Sequence, residues 1–158
     1  MMLPALPFYL LYAVLNIILC WQDFRTGLLR NSFTCPLLWG GLLSQLCLNP
    51  TRSNEALWGA IAGYCAMALF YWGYRALRRC EGLGYGDVKY VAALGAWHGW
   101  QSLPLLVLVA TLLACAFIVG KALWLHQAEN IKNPLPFGPF LGAAGFIMAG
   151  LSAFNLQP

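Results

Sequence analysis

Uncharged apolar stretches separated by short polar breaks constrain this chain more than any other feature. A helix that crosses a bilayer needs about 20 mostly apolar residues, with a usual range of about 17 to 25. Ala5 to Trp21, Phe33 to Leu48 and Ala56 to Tyr74 each read as one crossing. The run from Tyr90 to Lys121 is too long for one. It breaks at Trp97-His98-Gly99-Trp100-Gln101 and Pro104, a turn whose tryptophans suit the headgroup region. The run therefore divides into a short fourth helix, Asp87 to Trp97, and a fifth from Leu103 to Leu125. A last span covers Phe137 to Phe154. Eleven helical residues rise only about 16 Å, roughly half the hydrocarbon thickness, so Asp87 is expected within the membrane or at its edge. The reading is an all-α integral membrane protein of about six transmembrane helices, forming a single domain over residues 1–158. No basic residue precedes Arg25 and no small-residue cleavage site is evident, so the amino terminus reads as the first span and not as a removable signal peptide.

Composition agrees with lipid as the solvent. The chain is 61% hydrophobic and 9% charged, where a soluble domain carries about a quarter charged residues. Its net charge of +4 comes without any basic run, which argues against a nucleic-acid partner. Membrane topology accounts for it instead. With the amino terminus outside, Arg25, Arg30, Arg75, Arg78, Arg79, Lys89, Lys121 and Lys132 all fall on the cytoplasmic side, and only Arg52 falls outside. The six cysteines show no CxxC pair, so neither a disulfide nor a metal is expected. Gly59/Gly63, Gly95/Gly99 and Gly138/Gly142 repeat at four-residue spacing, a pattern that lets helices pack closely in lipid.

The acidic residues are Asp23, Glu55, Glu81, Asp87 and Glu129. Ionisable groups at membrane depth are costly and mark functional sites by default. The proposed topology puts both aspartates at the cytoplasmic edge, Asp23 just after the first helix and Asp87 just before the fourth. Each also has a cation two residues on, Arg25 and Lys89, so an ordinary interfacial ion pair is the competing explanation. Two carboxylates brought together would share a proton, because like charges at short range do not both ionise. The ionised member draws a proton from water and the protonated member donates to the carbonyl under attack. Gly84 and Gly86 precede Asp87 by three residues and one, where they allow a tight bend and close approach of another chain.

Three segments carry a resemblance to a known family. Gly84-Tyr-Gly-Asp-Val-Lys-Tyr-Val-Ala-Ala-Leu-Gly-Ala-Trp97 resembles the signature of the type IV prepilin peptidases, bacterial members of the GxGD aspartic proteases. Asp23-Phe-Arg-Thr-Gly-Leu-Leu-Arg-Asn31 is similar to the family's first aspartate segment, although Leu29-Arg30 stands where Ile-Pro is usual. Leu135-Pro-Phe-Gly-Pro-Phe140 resembles its Pro-Phe-Gly-Pro segment. The resemblance implies an aspartic endopeptidase of the bacterial inner membrane, needing no cofactor and no metal. It implies cleavage of the short basic leader of type IV prepilins or pseudopilins, for a pilus or a type II secretion system, at the inner face of the membrane. It implies Asp23 and Asp87 as the catalytic pair, Gly84 and Gly86 shaping the loop, and Pro136, Phe137, Gly138 and Pro139 bordering the substrate path. Arg25 and Lys89 would tune the pair, bind phosphate headgroups or serve topology alone. Relatives with a methylating domain carry paired CxxC motifs, which this chain lacks. Only about ten residues separate the first two spans, below the roughly 40 that a domain needs. A peptidase without methyl transfer is therefore expected.

Other chemistries fit less well. No HExxH or GxSxG motif is present, and His98 and His126 fall on opposite sides of the proposed topology. A small transporter or proton-relay component would also place aspartates in the membrane, but it would not explain three motifs in register. A catalytically silent scaffolding relative would have no need of both aspartates.

Overall fold

The structure is a computed structural model, describing residues 5–78, 84–125 and 136–153. Arg79, Cys80, Glu81, His126, Glu129 and Lys132 lie outside the described residues. The described chain forms six α-helices: α1 (Leu6–Thr26), α2 (Asn31–Leu48), α3 (Ser53–Arg78), α4 (Tyr85–His98), α5 (Leu103–Leu125) and α6 (Gly138–Ala153). A single 3-10 turn, Pro50–Arg52, joins α2 to α3.

The helix ends follow local chemistry. Gly27 terminates α1 in the left-handed conformation (φ 62°), its N–H donating to the Asp23 carbonyl at 2.8 Å, a cap that glycine adopts without a Cβ penalty. Gly99 ends α4 with a positive φ of 78° but an extended ψ, its N–H donating to the Gly95 carbonyl at 2.9 Å, in the Trp-flanked turn the sequence predicts. Pro104 sits in the first turn of α5, where its missing N–H would have had no helical partner.

This is an all-α membrane fold. Leu6–Thr26, Pro50–Leu77 and Leu103–Lys121 are long and apolar enough to cross a membrane. The expectation of six crossings is met only in part by this measure. α2 has 18 residues but interrupts its apolar run with Asn31, Ser32, Thr34, Ser44 and Gln45, and α6 is a shorter apolar helix. Two boundaries also move. α1 continues past Trp21 to Thr26, so Asp23 is part of the helix and not of a following polar segment. α4 begins at Tyr85, so Gly86 and Asp87 are both helical.

α4 occupies the middle of the bundle. Asp87, Val88 and every residue from Tyr90 to Ala96 are buried, so no face of this helix is left for lipid. It packs on α3, α2 and α6, while α1, α3 and α5 turn Leu10, Ile17, Leu69, Phe70, Leu108 and Leu112 outward. Lipid tails are as apolar as these side chains, so close packing and interhelical hydrogen bonds must hold the bundle. The small residues provide the first. Gly59 and Gly95 meet backbone to backbone, so that a Cβ on either would run into the other's carbonyl, and Gly63 lies against the carbonyl of Val91. The packing role expected of the spaced glycines is therefore visible at Gly59, Gly63 and Gly95. Hydrogen bonds across helices supply the second: Trp97 Nε1 donates to the Leu37 carbonyl (2.8 Å) and Gln45 Nε2 to the Trp97 carbonyl (3.1 Å). Such bonds contribute about 0.6 kcal/mol each on average.

Candidate active site

Asp23 and Asp87 are among the few buried polar residues, at 4% and 5% exposure. They reach the same region from opposite directions. Asp23 is in the last turn of α1 and Asp87 in the first turn of α4, with Gly84 as the preceding cap. The two carboxylates differ in their partners. Asp23 Oδ2 accepts from the Gly138 N–H at 2.8 Å, and Gly138 is the first residue of α6. A carboxylate there meets the positive end of a helix dipole. Asp87 Oδ1 is buried and accepts no hydrogen bond.

The neighbouring cations serve other contacts. Lys89 Nζ donates to Asn31 Oδ1 at 2.9 Å and lies over the Tyr85 ring, 5.2 Å from its centroid. Arg25 lies over the Trp21 ring on its own helix, at 5.3 Å. The described residues thus give no ion-pair explanation for either aspartate. The Lys89–Asn31 bond instead ties the start of α4 to the start of α2, joining the ends of two of the sequence motifs.

Three of the expected site glycines matter through contact. Gly86 is helical and has no positive φ, so it shapes no loop. A Cβ there would come within 2.7 Å of Leu29 Cβ, in the segment between α1 and α2. Gly138 is tighter still: its Cβ would stand 2.6 Å from Asp23 Oδ2. Gly84 is more open, with only Asp87 Oδ2 at 3.4 Å. Pro136 and Phe137 form the approach to α6, and Phe137 and Leu29 pack partly buried against the core. Pro139 follows Gly138 in the first turn of α6, where proline leaves no helical bond unmade.

A buried polar file behind Asp23 does not stand out among the sequence motifs. Tyr90 donates to Asn16 Oδ1 at 2.6 Å, and Asn16 Nδ2 donates to the Tyr12 carbonyl at 2.9 Å. Cys20 Sγ is 3.9 Å from both the Tyr90 hydroxyl and the Gly138 carbonyl. Any side chain at Gly142 would collide with that sulfur. Tyr12, Asn16, Cys20 and Asp23 follow helical spacing, so the signal for this file is an asparagine in the middle of an apolar span.

The fold and the site define a helical membrane protein with two buried carboxylates at one end of the bundle. The family model described as the type IV leader peptidase family matches residues 10–119. The chain is 60% identical over 147 residues to the leader peptidase HopD of Salmonella typhimurium, covering 92% of this chain and 94% of that one. It is 59% identical to the leader peptidase HopD of Escherichia coli over 146 residues, 91% of this chain and 92% of that one. The prepilin leader peptidase/N-methyltransferase of Aeromonas salmonicida is 43% identical over 125 residues, 79% of this chain but 42% of its own length. No solved structure matches. The chain belongs to the type IV leader peptidase family. It is a multi-pass peptidase of the bacterial inner membrane.

Proposed function

We propose that this chain is an aspartic endopeptidase that removes the leader from type IV prepilins or pseudopilins at the inner face of the membrane, with Asp23 and Asp87 as its catalytic pair. The observation that carries the reading is the burial of two carboxylates at one end of the bundle, each with different partners. Asp23, facing the Gly138 N–H and the α6 dipole, holds the negative charge and takes a proton from water. The resulting hydroxide attacks the scissile carbonyl carbon. Asp87, whose buried Oδ1 has no donor, carries the shared proton and gives it to the carbonyl oxygen. When the tetrahedral intermediate collapses, Asp23 passes its proton to the departing amine and Asp87 recovers one from the intermediate. No cofactor enters this balance. Incubating the purified protein with a prepilin tests the reading: a leader-removal shift on a gel supports it, and an intact substrate rejects it.

The reading includes a topology of six crossings in a single membrane-embedded domain, with the amino terminus outside. α4, at 14 residues, rises about 21 Å against a core of about 30 Å, which keeps Asp87 at membrane depth. In a cysteine-free background, a single cysteine at Ser53 or Gln101 is expected to react with an impermeant thiol reagent outside the cell. One at Arg79 or Lys132 is expected to stay unlabelled. The reverse pattern would put both carboxylates on the wrong side for this substrate.

Gly138 separates orientation of Asp23 from its mere presence. Gly138→Ala places a methyl 2.6 Å from Asp23 Oδ2 and 2.9 Å from its Cγ, so the carboxylate must move. A displacement of about 1 Å costs on the order of 100-fold in rate. The expected result is a loss of that order in kcat/KM with membrane insertion unchanged. Unaltered kinetics would mean that Asp23 does not need this geometry.

A further inference from the structure

The end of the bundle remote from the carboxylates contains a cavity of about 210 Å³. It lies among the first turns of α1, the last of α2 and α4, and the start of α3, whereas Asp23 and Asp87 lie at the opposite ends of α1 and α4. Tyr12, Trp97 and His98 form an aromatic wall, with the Tyr12 hydroxyl 3.0 Å from His98 Nε2. Arg52 and Glu55 also line the cavity. They carry opposite charges, yet among the described residues no ion pair joins them to each other or to another residue. Gln45 completes the wall; its Nε2 is used by the Trp97 carbonyl and its Oε1 is buried without a donor.

An unpaired cation, an unpaired anion and an acceptor without a donor, gathered at one cavity, describe the complement of a zwitterion. We propose that this cavity binds a primary ammonium joined to a phosphate, the chemistry of a phosphoethanolamine headgroup. Arg52 takes the phosphate, for which a guanidinium is well matched. Glu55 and Gln45 Oε1 accept from the ammonium, and Trp97 presents a ring to the cation. The two acceptors require N–H donors, so a quaternary choline headgroup satisfies them less well. A headgroup with no cation, such as phosphatidylglycerol, leaves Glu55 opposed by like charge. The site is separate from the peptidase chemistry and does not depend on it.

Native mass spectrometry of the purified protein tests this, in micelles holding equal amounts of phosphatidylethanolamine, phosphatidylcholine and phosphatidylglycerol of one acyl composition. Phosphatidylethanolamine is expected to be retained roughly tenfold over the other two, the scale of one charge-assisted hydrogen bond. Arg52→Gln and Glu55→Gln should each erase that preference, while Lys121→Gln on α5 leaves it intact. Leader removal, unchanged in the Arg52 and Glu55 variants, reports that they fold. Excess glycerophosphoethanolamine distinguishes the sources. Displacement of the lipid shows that the soluble headgroup suffices, and persistence of the lipid shows that the acyl chains contribute. Equal retention of the three lipids by the wild-type protein would overturn the proposal without reference to any variant. So would a preference that survives both substitutions.

Discussion

Asp23→Asn and Asp87→Asn are each expected to abolish detectable leader removal while the protein still inserts in the membrane. An amide has nearly the shape of a carboxyl group but neither takes a proton from water nor donates one as an acid. A positioned acid or base contributes roughly 10²–10⁴-fold by itself, and the proposed pair needs both members in one cycle. The two variants should also differ from each other. In Asp23→Asn the amide oxygen can still accept from the Gly138 N–H, so the contact between α1 and α6 survives. In Asp87→Asn the buried Oδ1 still lacks a donor, and a neutral amide replaces a carboxyl group that the proposed pair holds protonated. Asp87→Asn should therefore match the parent protein in stability to heat in detergent. Glu81→Gln and Glu129→Gln, outside the described residues, should retain activity. A single asparagine variant with full activity in the gel assay would end the aspartic mechanism.

The second large effect is expected from packing, far from any acid. Gly95→Val should prevent accumulation of folded protein, or sharply lower its thermal midpoint in detergent. The Cβ of residue 95 would collide with the carbonyl of Gly59, which is backbone and has no rotamer to give way. Relief requires α3 and α4 to separate, and α4 is buried on every side by α2, α3 and α6. Overpacking typically costs about 1–3 kcal/mol, and rigid contacts belong at the upper end. Gly73→Val is the control, because a Cβ at Gly73 meets nothing within 4 Å. Equal stability of the two variants would show that the helices do not meet as closely as the structure has them.

Most of the architecture is legible in the sequence because it depends on local patterns. Runs of apolar residues mark all six helices, and the run from Leu103 to Leu125 has the same limits as α5. Gly99 and its flanking tryptophans mark the turn before it. The limits at the aspartates differ from the sequence reading for a common reason. Polar residues at Asp23, Arg25, Arg30 and Asn31 suggest a break after Trp21, but Gly27 is the residue that ends α1, so the helix carries its carboxylate inside the bundle. Likewise, glycines ahead of Asp87 suggest a bent loop, whereas Gly86 is helical and is small because Leu29 needs the space.

Solvent and spacing are written along the chain, so the sequence alone determined that this protein is helical, lies in a membrane and carries two aspartates in the motifs of its family. The same local information placed Asn16, Cys20 and Asp23 on one face of α1 without naming what that face meets. Only the tertiary structure decided that α4 is enclosed, that Gly59 opposes Gly95 and that the Gly138 N–H reaches Asp23 across 115 residues of chain. In water, an apolar stripe would point each helix toward the core. In lipid, apolar surface is at home on either side, so these choices rest on close contacts and hydrogen bonds between distant residues, which no single stretch of sequence contains.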